Sequence, residues 1–223
     1  MTEMKTYSAQ ITEYIKKALL SGALKPGDKV NEVRVASELS ISRAPVREAL
    51  QMLVKEGLIL SIPQRGKFIN ALSPKEIRDS YSIGGVLEGA AVAECAGNFT
   101  PEDFTALEAL LDQMKALDAT ADDYAERFAR LDVAFHERLL AKTENKLMVE
   151  HARTVCQRMS KFLLFRYWPH AFSHQEVIER HKKVLDSVRS KSVPCIERTI
   201  REHYVELGNR MSRFGYEPDN ARL

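Results

Sequence analysis

Ser42-Arg43-Ala44-Pro45-Val46-Arg47-Glu48-Ala49-Leu50 opens a helix whose apolar stripe is Val46, Ala49, Leu50 and Leu53. Burying that stripe leaves Arg43 and Arg47, four residues apart, together on a face turned to water. Ser42 stands where an N-cap is needed, and Gly57 is the natural residue to end the helix. Such a helix needs apolar partners on one side and suits an anion on the other.

The flanking segments supply the partners. Ile11, Ile15, Ala18 and Leu19 predict a helix over about 5–21, stopped by Gly22 and the Lys25-Pro26-Gly27-Asp28 turn. Asn31 caps a short helix through Val33, Val35, Ala36 and Leu39, and Ser40-Ile41 turns into the Arg43/Arg47 helix. Leu58–Ile62 and Lys67–Asn70, on either side of Pro63-Gln64-Arg65-Gly66, predict a hairpin. Helix, helix, turn, helix and a two-stranded wing is the order of a winged helix-turn-helix. Arginine forks at the start of an exposed helix can bond guanine O6 and N7 in the major groove. Arg34 can hold the backbone or reach the groove edge, and Arg65 with Gly66 at the wing tip is placed for the minor groove. Residues 1–72 carry 11 Lys/Arg against 7 Asp/Glu, while residues 73–223 carry 22 against 24. The basic head therefore suits a polyanion and the remainder does not.

Leu24-Lys25-Pro26-Gly27, Glu32-Val33-Arg34-Val35-Ala36, the run from Ser42 to Leu50, Leu53 and Glu56-Gly57-Leu58 together resemble the GntR family signature. That resemblance implies a transcription regulator, more often a repressor, that binds short palindromic DNA as a homodimer. It also implies DNA contacts from Arg34, Arg43 and Arg47, with Gly66 in the wing.

Leu72-Ser73-Pro74 reads as a linker, with Ser73 capping and Pro74 opening the next helix. The domains expected are thus 1–72, a winged helix-turn-helix, and 73–223, an all-α bundle of about six helices for effector binding and dimerisation. Those helices are expected at about 74–97, 101–117, 121–141, 145–167, 174–190 and 194–214, with Thr120 capping the third and a break at Pro169. Asp132 and His136 are spaced i,i+4 and can chelate one ion. His181 and His203 lie on apolar stripes, each about eleven residues from the turn near Ser192. In an antiparallel pair they face each other. Three imidazoles and a carboxylate form a ligand set for a divalent metal such as Zn²⁺ or Ni²⁺.

Asp132-Val133-Ala134-Phe135-His136, Asn145, Glu179-Arg180-His181 and His203 also resemble the metal-binding FCD domain of the FadR subfamily. The resemblance implies a metal with open positions for a small organic acid, often a carboxylate. Many such domains carry an arginine three residues before a Leu-Glu pair; here Leu87-Glu88 is preceded by Gly84-Gly85. Two glycines inside a helix cost about 1 kcal/mol each against alanine, so they either make room for a bulkier effector or permit close helix packing. Arg153 and Arg158 are candidate carboxylate partners in the arginine's absence.

Two other readings use the same residues. A metal saturated by protein ligands would be purely structural, with no effector. A metal with an open position could instead activate water in a metallohydrolase, but no general base is placed for it and the arginine helix would have no purpose. No run approaches the ~20 apolar residues of a membrane span. The N-terminus lacks a signal-peptide core, and Cys95, Cys156 and Cys195 form no disulfide framework or zinc ribbon. A cytoplasmic location is expected.

Overall fold

A computed structural model describes residues 6–155 and 161–216. The N-terminal part opens with α1 (Tyr7–Leu20), capped by Thr6, whose hydroxyl accepts from the Ala9 amide. In α2 (Glu32–Glu38) the Asn31 side chain accepts from the Val33 and Arg34 amides. Helix α3 (Arg43–Lys55) has Ser42 at the N-cap position, but the hydroxyl makes no capping bond; the helix ends before Gly57, whose φ of 75° requires the left-handed region. Ile11, Ile15 and Leu19 of α1 pack with Val46, Leu50 and Leu53 of α3, all within 1% of full burial.

Strands β1 (Ile59–Ile62) and β2 (Gly66–Ile69) pair antiparallel in the register Ile59↔Ile69 to Ile62↔Gly66. Lys29 forms a bridge with Phe68, and Val30 donates to the Lys67 carbonyl at 2.9 Å. The segment after Gly27 therefore adds a third edge to the wing, where only a turn had been expected.

Among the described residues the C-terminal part consists of helices and turns: α4 (Pro74–Glu94), α5 (Pro101–Lys115), α6 (Tyr124–Leu140), α7 (Lys146–Arg153), α8 (Lys161–Leu164), α9 (Trp168–Ala171), α10 (His174–Arg189) and α11 (Val193–Met211). Of the helix expected over 145–167, the described residues form α7, α8 and a 3₁₀ turn at Phe165–Tyr167, and residues 156–160 lie outside the described residues. Pro169 does not break a helix. It sits in the first turn of α9, where a missing N–H costs nothing, and the chain turns extended only at Phe172. Thr120 does not cap α6. Its hydroxyl donates to Asp118 at 2.6 Å, and the helix starts after Asp123. Ser73 and Glu76 do form a capping box on α4, with Pro74 in its first turn.

Helices α4 and α11 form the closest seam. A Cβ at Gly85 would lie 2.8 Å from the Tyr204 Cβ and 3.1 Å from the Arg201 Cα; one at Gly208 would lie 2.9 Å from the Tyr81 Cβ. At Gly85, close packing rather than space for a ligand accounts for the glycine. The linker is tied as well: the Tyr216 amide donates to the Leu72 carbonyl at 2.8 Å, and Gly215 abuts Pro74. Among the described residues no helix is long and apolar enough to cross a membrane.

Gly85→Ala should destabilise the protein by about 1–3 kcal/mol, because the seam offers only backbone and Cβ atoms to move; an unchanged urea midpoint would contradict the packing. Glu176, in the capping box of α10, is held at a pKa of about 2 by the Ser173 amide and then by Arg210. A folded pKa below the unfolded 4.5 means its contribution is full above about 4.5 and is lost as pH falls toward 2. The melting-temperature gap between wild type and Glu176→Gln should narrow over that range, and a constant gap would contradict it.

Candidate functional site

Helices α6, α10 and α11 bring His136, His181 and His203 together in the interior, with one ring nitrogen of each within 4.8 Å of the others. All three are buried, and so is Asp132. The Asp132 Oδ1 lies 3.0 Å from His181 Nε2 and 3.6 Å from His136 Nε2. The other nitrogens of these two rings are already used. His181 Nδ1 donates to the Val177 carbonyl at 2.8 Å, and His136 Nδ1 donates to Glu88 Oε1 at 2.5 Å. The Nε2 atoms of both rings are thus turned toward the centre of the cluster, beside Asp132. His203 has no hydrogen bond at either nitrogen. Burial, with the Arg180 guanidinium and the neighbouring histidines, holds its imidazole well below the usual range and therefore neutral.

Protonating all three rings would place like charges in contact, whereas one divalent cation can take a nitrogen from each. The three histidines therefore fit a divalent cation, with Asp132 beside two of them. Nitrogen-rich sets of this kind suit Zn²⁺ and Ni²⁺.

Glu88, Tyr204 and Arg180, around the cluster, were given no role by the sequence reading. Glu88, from α4, is 1% exposed and accepts from His136 and, at 2.7 Å, from the Tyr204 hydroxyl. A carboxylate behind a ligating histidine fixes the ring's tautomer and orientation. Arg180, next to His181, pairs with Glu206, donates to the His203 carbonyl and lies 4.8 Å over the Phe172 ring. The candidate effector contact Arg153 instead forks onto Glu137 of α6, with Nε 2.9 Å from Oε1. Arg158 lies outside the described residues.

On the N-terminal part, Ser42, Arg43 and Arg47 are exposed on α3, and Arg65 and Gly66 are exposed at the wing tip. Gly66 has φ 109°, and a Cβ there would meet the Lys29 side chain at 3.2 Å. Arg34 stands apart from these. It points to the other side of α2 from Glu32, pairs with Glu38 at 2.6 Å and lines a groove against Asp122, Asp123 and Glu126.

A winged head with an arginine-bearing helix, joined to a helical bundle with a buried ligand cluster, defines a DNA-binding regulator. Residues 7–69 match the family "Bacterial regulatory proteins, gntR family" and residues 79–206 match the FCD domain. The chain belongs to the GntR-family transcription regulators with an FCD domain. It is 27% identical over 202 residues to the HTH-type transcriptional regulator YdhC of Bacillus subtilis, covering 89% of this chain and 88% of that protein. It is 26% identical to the Nta operon transcriptional regulator of Aminobacter aminovorans, covering 82% and 86%. It is 24% identical to the transcriptional repressor RspR of Escherichia coli, covering 93% and 90%. The fold of E. coli McbR/YncC superposes with a TM-score of 0.75 at 23% identity, covering 95% of this chain and 99% of that one. The relatives' names are those of regulators, not enzymes.

Glu88→Gln should weaken binding of Zn²⁺ to the chelator-stripped protein about 10- to 100-fold, whereas His203→Ala should abolish the tight site; wild-type affinity in both variants would remove the cluster as a metal centre.

Proposed function

We propose that this DNA-binding regulator is a cytoplasmic repressor that binds a palindromic operator as a homodimer and responds to a small organic acid at a metal held by Asp132, His136, His181 and His203. In this reading the domains are 1–72 for DNA and 73–223 for sensing and dimerisation. Exposure of Arg43 and Arg47 on the side of α3 away from its buried stripe is the observation that carries it. Those two forks read guanine edges, Ser42 and the α3 N-terminus approach phosphate, and Arg65 and Gly66 reach the minor groove. Arg34, turned toward Glu38 and α6, is given no base contact.

The metal, when bound, supplies a Lewis-acidic point for an oxygen ligand. The protein's own residues orient it: Glu88 and the Val177 carbonyl fix two imidazoles, and Tyr204 steadies Glu88. Repression is supported by the name of the relative RspR, a transcriptional repressor. For the second copy, Ile83 and Val86 on α4 and Val205 on α11 offer exposed apolar side chains; the contact of Gly85 with Arg201 and Tyr204 sets them at similar height.

The near-complete burial of all four ligands favours a second reading, a structural metal without an effector. Titrating carboxylic acids into the metallated protein separates the two: a change in operator affinity supports sensing, and no change supports the structural metal.

Arg47→Ala should weaken binding to a duplex selected from a random library by about 5- to 150-fold while leaving the melting temperature unchanged, the equivalent of about 1–3 kcal/mol; undiminished binding would contradict the reading.

A further inference from the structure

Among the elements proposed to face DNA lies a carboxylate that opposes their purpose. Glu32, the first residue of α2, is only partly exposed. Its Oε1 accepts from Lys67 Nζ of β2 at 2.7 Å, and its Oε2 lies 3.6 Å from Arg47 Nε of α3. Three separate elements of the head therefore converge on one side chain. The two cations are held differently. The Lys67 side chain is 13% exposed and its backbone is fixed in the wing, opposite Ser61 and bonded to the Val30 amide. The Arg47 side chain is 65% exposed and its contact is longer. A surface pair of that kind is weak and readily exchanged for another acceptor.

A negative charge here repels every phosphate that the surface approaches. It also takes the charge of Lys67 out of play and gives Arg47 a resting direction. Without Glu32, both cations would be free to seek phosphates, which carry no sequence information. With it, Arg47 rests against one anchored acceptor, and a guanine edge at the right register offers it another along the same line.

We propose that Glu32 is a positioning residue for sequence discrimination: anchored by Lys67 of the wing, it orients the Arg47 fork and suppresses non-specific attraction to phosphate. The inference rests on the DNA-reading role of Arg47 proposed above.

The test uses the full-length protein, a duplex selected by the wild type from a random library, and a scrambled duplex of equal length. Glu32→Gln keeps size and an acceptor oxygen but removes the charge. Its affinity for the scrambled duplex should rise about three- to tenfold, and the dependence of log K on log salt should steepen by about one to two as the freed cations take up phosphates. The ratio of selected to scrambled affinity should fall about tenfold or more. Lys67→Met leaves the charge of Glu32 but removes its anchor, so the ratio should fall without steepening of the salt slope. A merely structural Glu32 would instead lower both affinities together with the melting temperature, and that result overturns the proposal. An unchanged ratio in Glu32→Gln, with both affinities raised equally, also overturns it, since Glu32 would then be only a repulsive charge. If the wild type enriches no sequence, the DNA-reading role fails and this inference falls with it; if the wild type selects and the variants keep its ratio, only this inference falls.

Discussion

The interior of the helical bundle turns on a buried cluster of one carboxylate and three imidazoles. Asp132 lies against the Nε2 atoms of His181 and His136, and His203 adds a third ring with no hydrogen bond at either nitrogen. These side chains come from α6, α10 and α11, and α4 joins through Glu88. The proposed cation in the centre would turn these burials into one binding site, and such binding would at the same time stabilise the fold. The arrangement explains why polar groups are tolerated where apolar ones would pack more simply.

The same helices lead toward the DNA-binding head. Helix α11 carries His203, packs on α4 through Gly85 and Gly208, and runs into a 3₁₀ turn whose Phe214 ring stacks on Tyr167 at 4.8 Å. Arg166 lies 4.5 Å over that Tyr167 ring and its guanidinium approaches Gly22 at the end of α1. The Tyr216 amide closes the circuit on the linker at Leu72. Whatever shifts α11 therefore acts on packed groups that touch the head directly. An effector that changes DNA affinity through them must itself bind differently in the presence of DNA, by the same factor.

Much of this was legible from residue spacing. Asp132 and His136 at i,i+4 share a helix face, and the equal distances of His181 and His203 from one hairpin turn predict that they meet. Glu88 was not legible, because a single acid on a mostly apolar stripe looks the same whether it faces water or a histidine. The glycines before it gave two explanations, and only the approach of Tyr204 separates them at Gly85. Arg34 was read as holding the DNA backbone or reaching the groove edge, and it is exposed on α2 beside Glu38. Two residues along a helix turn a side chain to the far side, and Arg34 lies opposite Glu32 for that reason. The 3₁₀ turn at Phe165–Tyr167 had no glycine or proline to announce it, and Pro169, which looked like a stop, opens a turn.

X-ray absorption at the metal edge of protein loaded with one equivalent of Zn²⁺ or Ni²⁺ tests the cation at the centre most directly. The account predicts scattering from imidazole nitrogens, three of them, together with carboxylate oxygen, at roughly 2.0–2.2 Å for zinc. A spectrum of the hydrated ion, or one without imidazole, would contradict it.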